Sequence, residues 1–282
     1  MKALVALLLL LLATSCTTQL GSANEDPWIP ENAVLLMRDE FDDNTLNPDL
    51  WNTCHWWSTD GGCTIASNDE LQWYLPDNVS IADGMLRLEA RIEPATGTDG
   101  SSFDFTSGMV TTGPPATRTD AKFAFQYGGA EARIRVPAGA EFWPAFWLLP
   151  ASTESRPEID IMEMHGDEPR TNDMRFHSFD SAGERGTFGD STTGPDFTAG
   201  WHNFGVIWSP DQITWTIDGE AKRTFRIDND LDLQLPHEPL YLVLNLAIDS
   251  DATPPLAGPE AFPAVVEVDW VQVWQFPGTD GE

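Results

Sequence analysis

Glu158-Ile159-Asp160-Ile161-Met162-Glu163-Met164-His165 sets three carboxylates and an imidazole among four apolar residues. In an extended strand the side chains alternate faces, so Glu158 and Asp160 share one face while Ile159 and Ile161 share the other. Strict alternation would leave Glu163 with the isoleucines. One extra residue at about Ile161-Met162, a β-bulge, returns Glu163 and His165 to the acid face and leaves Met164 on the apolar one. Like charges a few ångströms apart repel and raise one another's pKa values, so the acid row is tolerable only along an open, wet groove. The stretch therefore reads as a sheet strand with a core on one side and a groove on the other.

The rest of the chain agrees with that layering. Leu86, Leu88, Ala90 and Ile92 alternate with Arg87, Glu89 and Arg91, and Ala132, Ile134 and Val136 alternate with Glu131, Arg133 and Arg135. Ile213, Trp215 and Ile217 lead into Asp218-Gly219, a hairpin-turn dipeptide. No segment sustains an apolar stripe of period 3.6, and 22 Gly with 21 Pro divide the chain into short extended pieces. The expected fold is an all-β sandwich. No period of 20–50 residues repeats, and 282 residues suit one large all-β domain.

Paired carboxylates on one face suit glycoside hydrolysis, where a nucleophile and a proton donor stand roughly 5–5.5 Å apart in retaining enzymes. With the bulge, Glu158 and Glu163 are about four strand steps apart, roughly 13 Å between α-carbons, so two long side chains must lean inward over Asp160. The assignment is Glu158 as nucleophile, Glu163 as general acid and then base, and Asp160 as the group that orients the nucleophile. The charge on Glu158 holds the proton on Glu163, and once Glu158 becomes a neutral ester that support is gone.

Glu158-Ile159-Asp160-Ile161-Met162-Glu163 resembles the signature of family 16 glycoside hydrolases in its longer, laminarinase-type form. The resemblance extends through Asp39-Glu40-Phe41-Asp42, Asn68-Asp69-Glu70-Leu71-Gln72-Trp73-Tyr74, Gly84-Met85-Leu86-Arg87-Leu88, Phe105-Thr106-Ser107-Gly108, Trp143-Pro144-Ala145-Phe146-Trp147-Leu148-Leu149-Pro150 and Val268-Asp269-Trp270-Val271-Gln272-Val273-Trp274. It implies a β-jelly roll of two curved antiparallel sheets over residues 34–276 and a retaining endo-hydrolase of β-1,3- or β-1,3-1,4-glucan. A transglycosylase, a galactan hydrolase and a non-catalytic carbohydrate-binding protein are the alternatives. It further implies that Trp143 faces sugar and that Asn68, Glu70 and Gln72 line subsites. His177 either contacts sugar or the acid/base or is structural, His165 either contacts ligand or fills a hydrogen bond, and Trp147 belongs either to the core or to the groove. Catalysis needs no cofactor. A structural calcium ion is implied at Glu40, the Gly84 carbonyl and Asp269, since oxygen donors suit that ion. The pattern departs at Asp249-Ser250-Asp251, where similar chains carry two glycines, and substrate choice is open there.

Lys2 followed by the apolar run Ala3 to Ala13 is too short to span a bilayer and reads as an export signal within residues 1–23. Leu12-Ala13-Thr14-Ser15-Cys16 resembles a lipoprotein cleavage site, which would put diacylglyceryl on Cys16 and the protein on a membrane surface, whereas cleavage after Ala23 would free it. Residues 24–33 read as a linker and 277–282 as a tail. With Cys16 taken by lipid, Cys54 and Cys63 remain as an even pair for a disulfide in an oxidising compartment. Formal charge is −30, from 45 acids against 15 bases. That field repels polyanions, so nucleic acid is excluded as a partner and a neutral polysaccharide favoured. A monomer is expected. Twelve Trp against three Tyr fits indole faces that stack on sugar rings, with most of them still serving the core.

Overall fold

In a computed structural model the described residues are Ile29, 32–55, 63–97, 100–116, 119–227, 232–250 and 258–277. Cys16, the signal and lipidation segment and the tail beyond 277 lie outside them. Along the chain run β1 (Val34–Asp39), β2 (Gln72–Tyr74), β3 (Val79–Ala82), β4 (Met85–Thr96), β5 (Ser102–Ser107), β6 (Met109–Thr111), β7 (Gly128–Arg135) and β8 (Phe142–Pro150). Then follow β9 (Glu158–Glu163), β10 (Thr171–Phe179), β11 (Arg185–Thr193), β12 (His202–Trp208), β13 (Gln212–Ile217), β14 (Glu220–Arg226), β15 (Leu240–Ile248) and β16 (Ala264–Gln275). The helical pieces between the strands are all short 3-10 turns among the described residues.

The strands form two sheets of a jelly-roll sandwich. The larger runs β14-β13-β12-β7-β16-β4-β5-β2, with β1 on β16 and β3 on β4, and the smaller runs β11-β10-β9-β8-β15-β6. Pairing is antiparallel except between β2 and β5, which lie parallel, a departure from the all-antiparallel expectation. The period-2 runs behave as their sequences require. Leu86, Leu88 and Ala90 are fully buried while Arg87, Glu89 and Arg91 face outward. Asp218 and Gly219 both take positive φ, 49° and 71°, and close the β13–β14 hairpin. Backbone of that kind suits the right-handed twist of the flanking strands.

The core lies between the sheets. From the smaller sheet it takes Phe146, Leu148, Ile159, Ile161, Met162, Met164 and Phe176, and from the larger Ile134, Val206, Trp208, Trp215 and Val271. Strand β15, between β8 and β6, is buried on both faces. Its second face supports a smaller cluster of Tyr74, Met109, Trp147, Leu149, Tyr241, Val243 and Cys63 on the outer side of the six-stranded sheet. The expected disulfide joins Cys63 to Cys54, with α-carbons 5.4 Å apart. This second cluster builds a wall beside the acid strand.

Candidate active site

The kink falls where alternation fails. Across from β8, Met162 pairs with Phe146 and Asp160 with Trp147, so Ile161 is the extra residue. On the other side Glu163 pairs with Asp173 and Asp160 with Arg175. Ile161 and Met162 both enter the core, and Glu158, Asp160, Glu163 and His165 come to the outer face. Sequence reading missed what holds this geometry. Buried Asn172 accepts the Glu163 N–H at 3.2 Å and donates to the Ile161 carbonyl at 3.4 Å, answering two backbone groups that the bulge takes out of the ladder. Trp215 reaches across the core to donate its indole N–H to the Asp160 carbonyl at 2.8 Å. An Asn opposite an acid motif and a Trp in a distant strand carry no local signal of such a role.

Glu158, Asp160 and His177 stand in one close group. A carboxylate oxygen of Glu158, one of Asp160 and a ring nitrogen of His177 lie within 4.8 Å of one another. His177 Nε2 is 3.1 Å from Asp160 Oδ2, and its Nδ1 is 2.7 Å from Thr187 Oγ1. Burial lowers the His177 pKa, which favours the neutral ring, and in that form its remaining N–H can donate to Asp160. Burial, and then the charge on Asp160, lifts Glu158 to about 8. Asp160 is pushed well above the ordinary carboxylate range, first by burial and then by Glu163. Three acids so placed cannot all be ionised. Asp160 and Glu158 are hydrogen-bonded and the charge on Asp160 raises the cost of ionising Glu158, so one proton shared between them leaves only one of the two charged at a time. Among the described residues Glu158, Asp160 and His177 are the one gathering of carboxylate and imidazole donors close enough to hold a metal, and their contacts with one another fit a shared proton.

Glu163 is held on two sides. Trp143 donates its indole N–H to Oε1 at 3.1 Å, while Arg175 Nε stands 3.6 Å from Oε2 and is itself engaged by Asp173. Burial raises the Glu163 pKa, and His165 and Arg175 pull it back. His165 stacks on Trp143 with ring centroids 5.1 Å apart, and its Nδ1 lies 3.1 Å from Asp249 Oδ2.

Other sequence expectations are corrected. Glu70 and Gln72 were expected along subsites, yet they are 7 % and 0 % exposed. Gln72 accepts the Ile248 N–H and donates to Glu70, and Tyr74 donates to Glu70 in turn. They brace the wall onto β15 because a three-residue strand cannot hold itself there by backbone bonds alone. Burial lifts Glu70 to about 7 against those hydrogen bonds. Asn68 is exposed and donates to Glu70 at 3.2 Å. Trp147 joins the same brace: it is buried beneath the disulfide segment, 5.8 Å from the His55 ring, and donates to Asn245. The calcium donors do not fit as they stand, for the Asp269 carboxylate is taken by Arg133 at 2.7 Å and that of Glu40 by Arg38 at 3.0 Å. A cation there would have to displace two guanidinium groups.

Residues 70–272 match the model of glycosyl hydrolases family 16. The chain belongs to that family. It is 33% identical over 267 residues to endo-1,3-1,4-beta-glycanase EglC of Rhizobium meliloti, covering 89% of this chain and 54% of the relative. It is 31% identical over 261 residues to a beta-glucanase of Rhodothermus marinus, covering 86% and 85% respectively. Among solved structures, the catalytic domain of an endo-1,3-beta-glucanase (laminarinase) from Thermotoga petrophila superposes with a TM-score of 0.74 at 28% identity, covering 88% of this chain and all of that one. The chain thus spans about half the length of the Rhizobium relative.

Proposed function

We propose that this family 16 chain is a retaining endo-glycosidase that hydrolyses internal β-glycosidic bonds of a glucan, with β-1,3 or mixed β-1,3-1,4 linkages. The observation that carries the reading is the bulge, which gathers Glu158, Asp160 and Glu163 on one face. The relatives named as β-glucanases support the substrate class. Asp160, hydrogen-bonded to Glu158, takes up the proton the pair shares and so leaves that carboxylate ionised and aimed at the moment of attack. Glu158 attacks the anomeric carbon as the bond to the leaving oxygen breaks, and Glu163 delivers its proton to that oxygen. The ester at Glu158 discharges one negative charge beside Glu163, so Glu163 becomes the base that takes a proton from water as water breaks the ester. Trp143, half-buried beside Glu163, offers an indole for a sugar ring, and exposed Asn68 borders the wall. No cofactor enters any step.

Glu158→Ala is expected to abolish turnover of polymer, and azide to restore cleavage of an activated aryl glycoside with an inverted glycosyl azide as product. Azide product of retained configuration, or none, would transfer the nucleophile's role elsewhere. Residues 34–276 make up the catalytic part of the proposal. Export is its second part, with Cys16 carrying lipid and the mature chain held at a membrane surface by two or more acyl chains. Cys16→Ser should then move the enzyme from the membrane fraction to the medium or periplasm, and an unchanged distribution argues for plain secretion.

A further inference from the structure

Asp249 follows β15 at the point where the sequence departs from the pattern it otherwise resembles. Its backbone N–H donates to the Glu141 carbonyl at 2.9 Å, which fixes the residue against the start of β8. Its carboxylate reaches the opposite way, to His165 Nδ1 at 3.1 Å. His165 lies two residues beyond Glu163, past the bulge, and its ring is stacked on Trp143 at an interplanar angle of 29°. Trp143 then donates to Glu163 Oε1. Gly166 lets the chain turn away at once, since a side chain there would strike the Gly139 carbonyl. Three separate segments thus converge in one series of contacts, Asp249 on His165, His165 against Trp143, Trp143 on Glu163.

We propose that Asp249 is a positioning residue for the proton donor, acting through the stacked His165 and Trp143 to aim the Glu163 carboxyl. The inference rests on the reading of Glu163 as acid and deepens it. A carboxyl on a flexible side chain delivers its proton well only when held within hydrogen-bond reach of the leaving oxygen. Of the two groups that hold Glu163, Arg175 stands at 3.6 Å and is shared with Asp173, so the indole N–H at 3.1 Å is the better-defined constraint. An indole keeps its orientation when its face is backed by another flat ring, and an imidazole keeps its own when a ring nitrogen is tied. Removing the Asp249 carboxylate unties the ring and loosens the whole series.

A leaving-group series on the purified full chain tests this, using aryl β-glycosides of a short glucan oligosaccharide from dinitrophenol to unsubstituted phenol. Dinitrophenolate leaves without a proton, whereas phenol needs one. Asp249→Ala is expected to lower kcat/KM for the phenyl glycoside roughly tenfold or more, part of the 10²–10⁴-fold that a placed acid supplies, and to leave the dinitrophenyl glycoside nearly unchanged. Asp249→Asn, which keeps an oxygen toward His165, should retain most of the rate on both. The ratio of the two substrates within one preparation cancels any unfolded fraction. Equal losses across the series, or none, overturn the proposal. Glu163→Ala run beside it must itself show the steep dependence. If it does and Asp249→Ala does not, only Asp249 falls, and if it does not, the acid assignment falls and takes Asp249 with it.

Discussion

The outer faces of the two sheets handle charge in opposite ways. On the ten-stranded sheet acids meet arginines strand by strand: Glu267 lies between Arg87 and Arg135, Asp269 on Arg133, Glu89 on Arg91, and Glu40 on Arg38 at the margin. On the six-stranded sheet Glu158, Asp160 and Glu163 share a row in which His177 contacts Asp160, Arg156 acts on Glu158 and Asp160, and Arg175 reaches Glu163 but is closer to Asp173. The chain has only 15 basic residues for 45 acids, and much of that small supply is placed where no chemistry occurs. Acids left in a partly dry row keep their protons. A paired acid is a fixed charge, whereas an unpaired, buried one is a proton donor near neutral pH.

The largest expected effect of this contrast is on stability against pH. A carboxyl with a raised folded-state pKa binds a proton in the folded chain that the unfolded chain has already released, so stability falls as pH rises from the ordinary value to the raised one. Glu158, moved from 4.5 to about 8, and Glu70, moved from 4.5 to about 7, set the window. At about 1.4 kcal/mol per pH unit the two amount to several kcal/mol, with the loss complete above about pH 8. Denaturant titrations between about pH 5 and 8 should show that fall, and the double variant Glu158→Gln/Glu70→Gln should flatten it. A stability that instead climbs over this window would mean that these acids are neutralised by groups other than protons.

Next in size is the clamp on the bulge. Asn172→Ala leaves the Glu163 N–H and the Ile161 carbonyl buried without their side-chain partner, which costs roughly 1–3 kcal/mol. Because the same change lets Glu163 shift along its strand, kcat on polymer should drop on the order of 10²-fold, the scale expected for about 1 Å of misplacement. Thermal unfolding together with kcat checks both. Full activity in a destabilised variant would show that strand pairing alone sets the kink.

Much of this was legible in residue order. Parity required a bulge near Ile161-Met162, because no other register puts Glu163 beside Asp160 while keeping Met164 with the core. The alternating runs of β4 and β7 and the Asp218-Gly219 turn announced themselves, since each depends on neighbours in sequence. The failures were of another kind. Glu70 and Gln72 alternate like groove residues, and only β15, far away in the chain, decides that they are covered. Asn172 and Trp215 act through single contacts made across strands or across the core, so nothing near them in sequence marks their role. Asp249 was visible as a departure, but its partner at His165 was a matter of tertiary placement.

The smallest expected effect tests the other face. Arg91 donates to Glu89 at 2.6 Å from a side chain still 35% exposed, and Glu89 is 24% exposed. Water screens such a pair and ordering two long side chains offsets much of the attraction, so exposed ion pairs contribute about 0–1 kcal/mol. Arg91→Ala should therefore lower stability by less than about 1 kcal/mol and leave kcat unchanged, by the same assays used for Asn172→Ala. The reasoning depends on the pairs being local. Were the arginines of the larger sheet instead supplying a field that holds protons off the acid row, losing one would raise the Glu158 and Glu163 pKa values and displace the pH profile of kcat/KM upward. An unmoved profile would establish that the two faces are electrically separate, with about one core thickness of protein between them and each side's acids governed by what touches them.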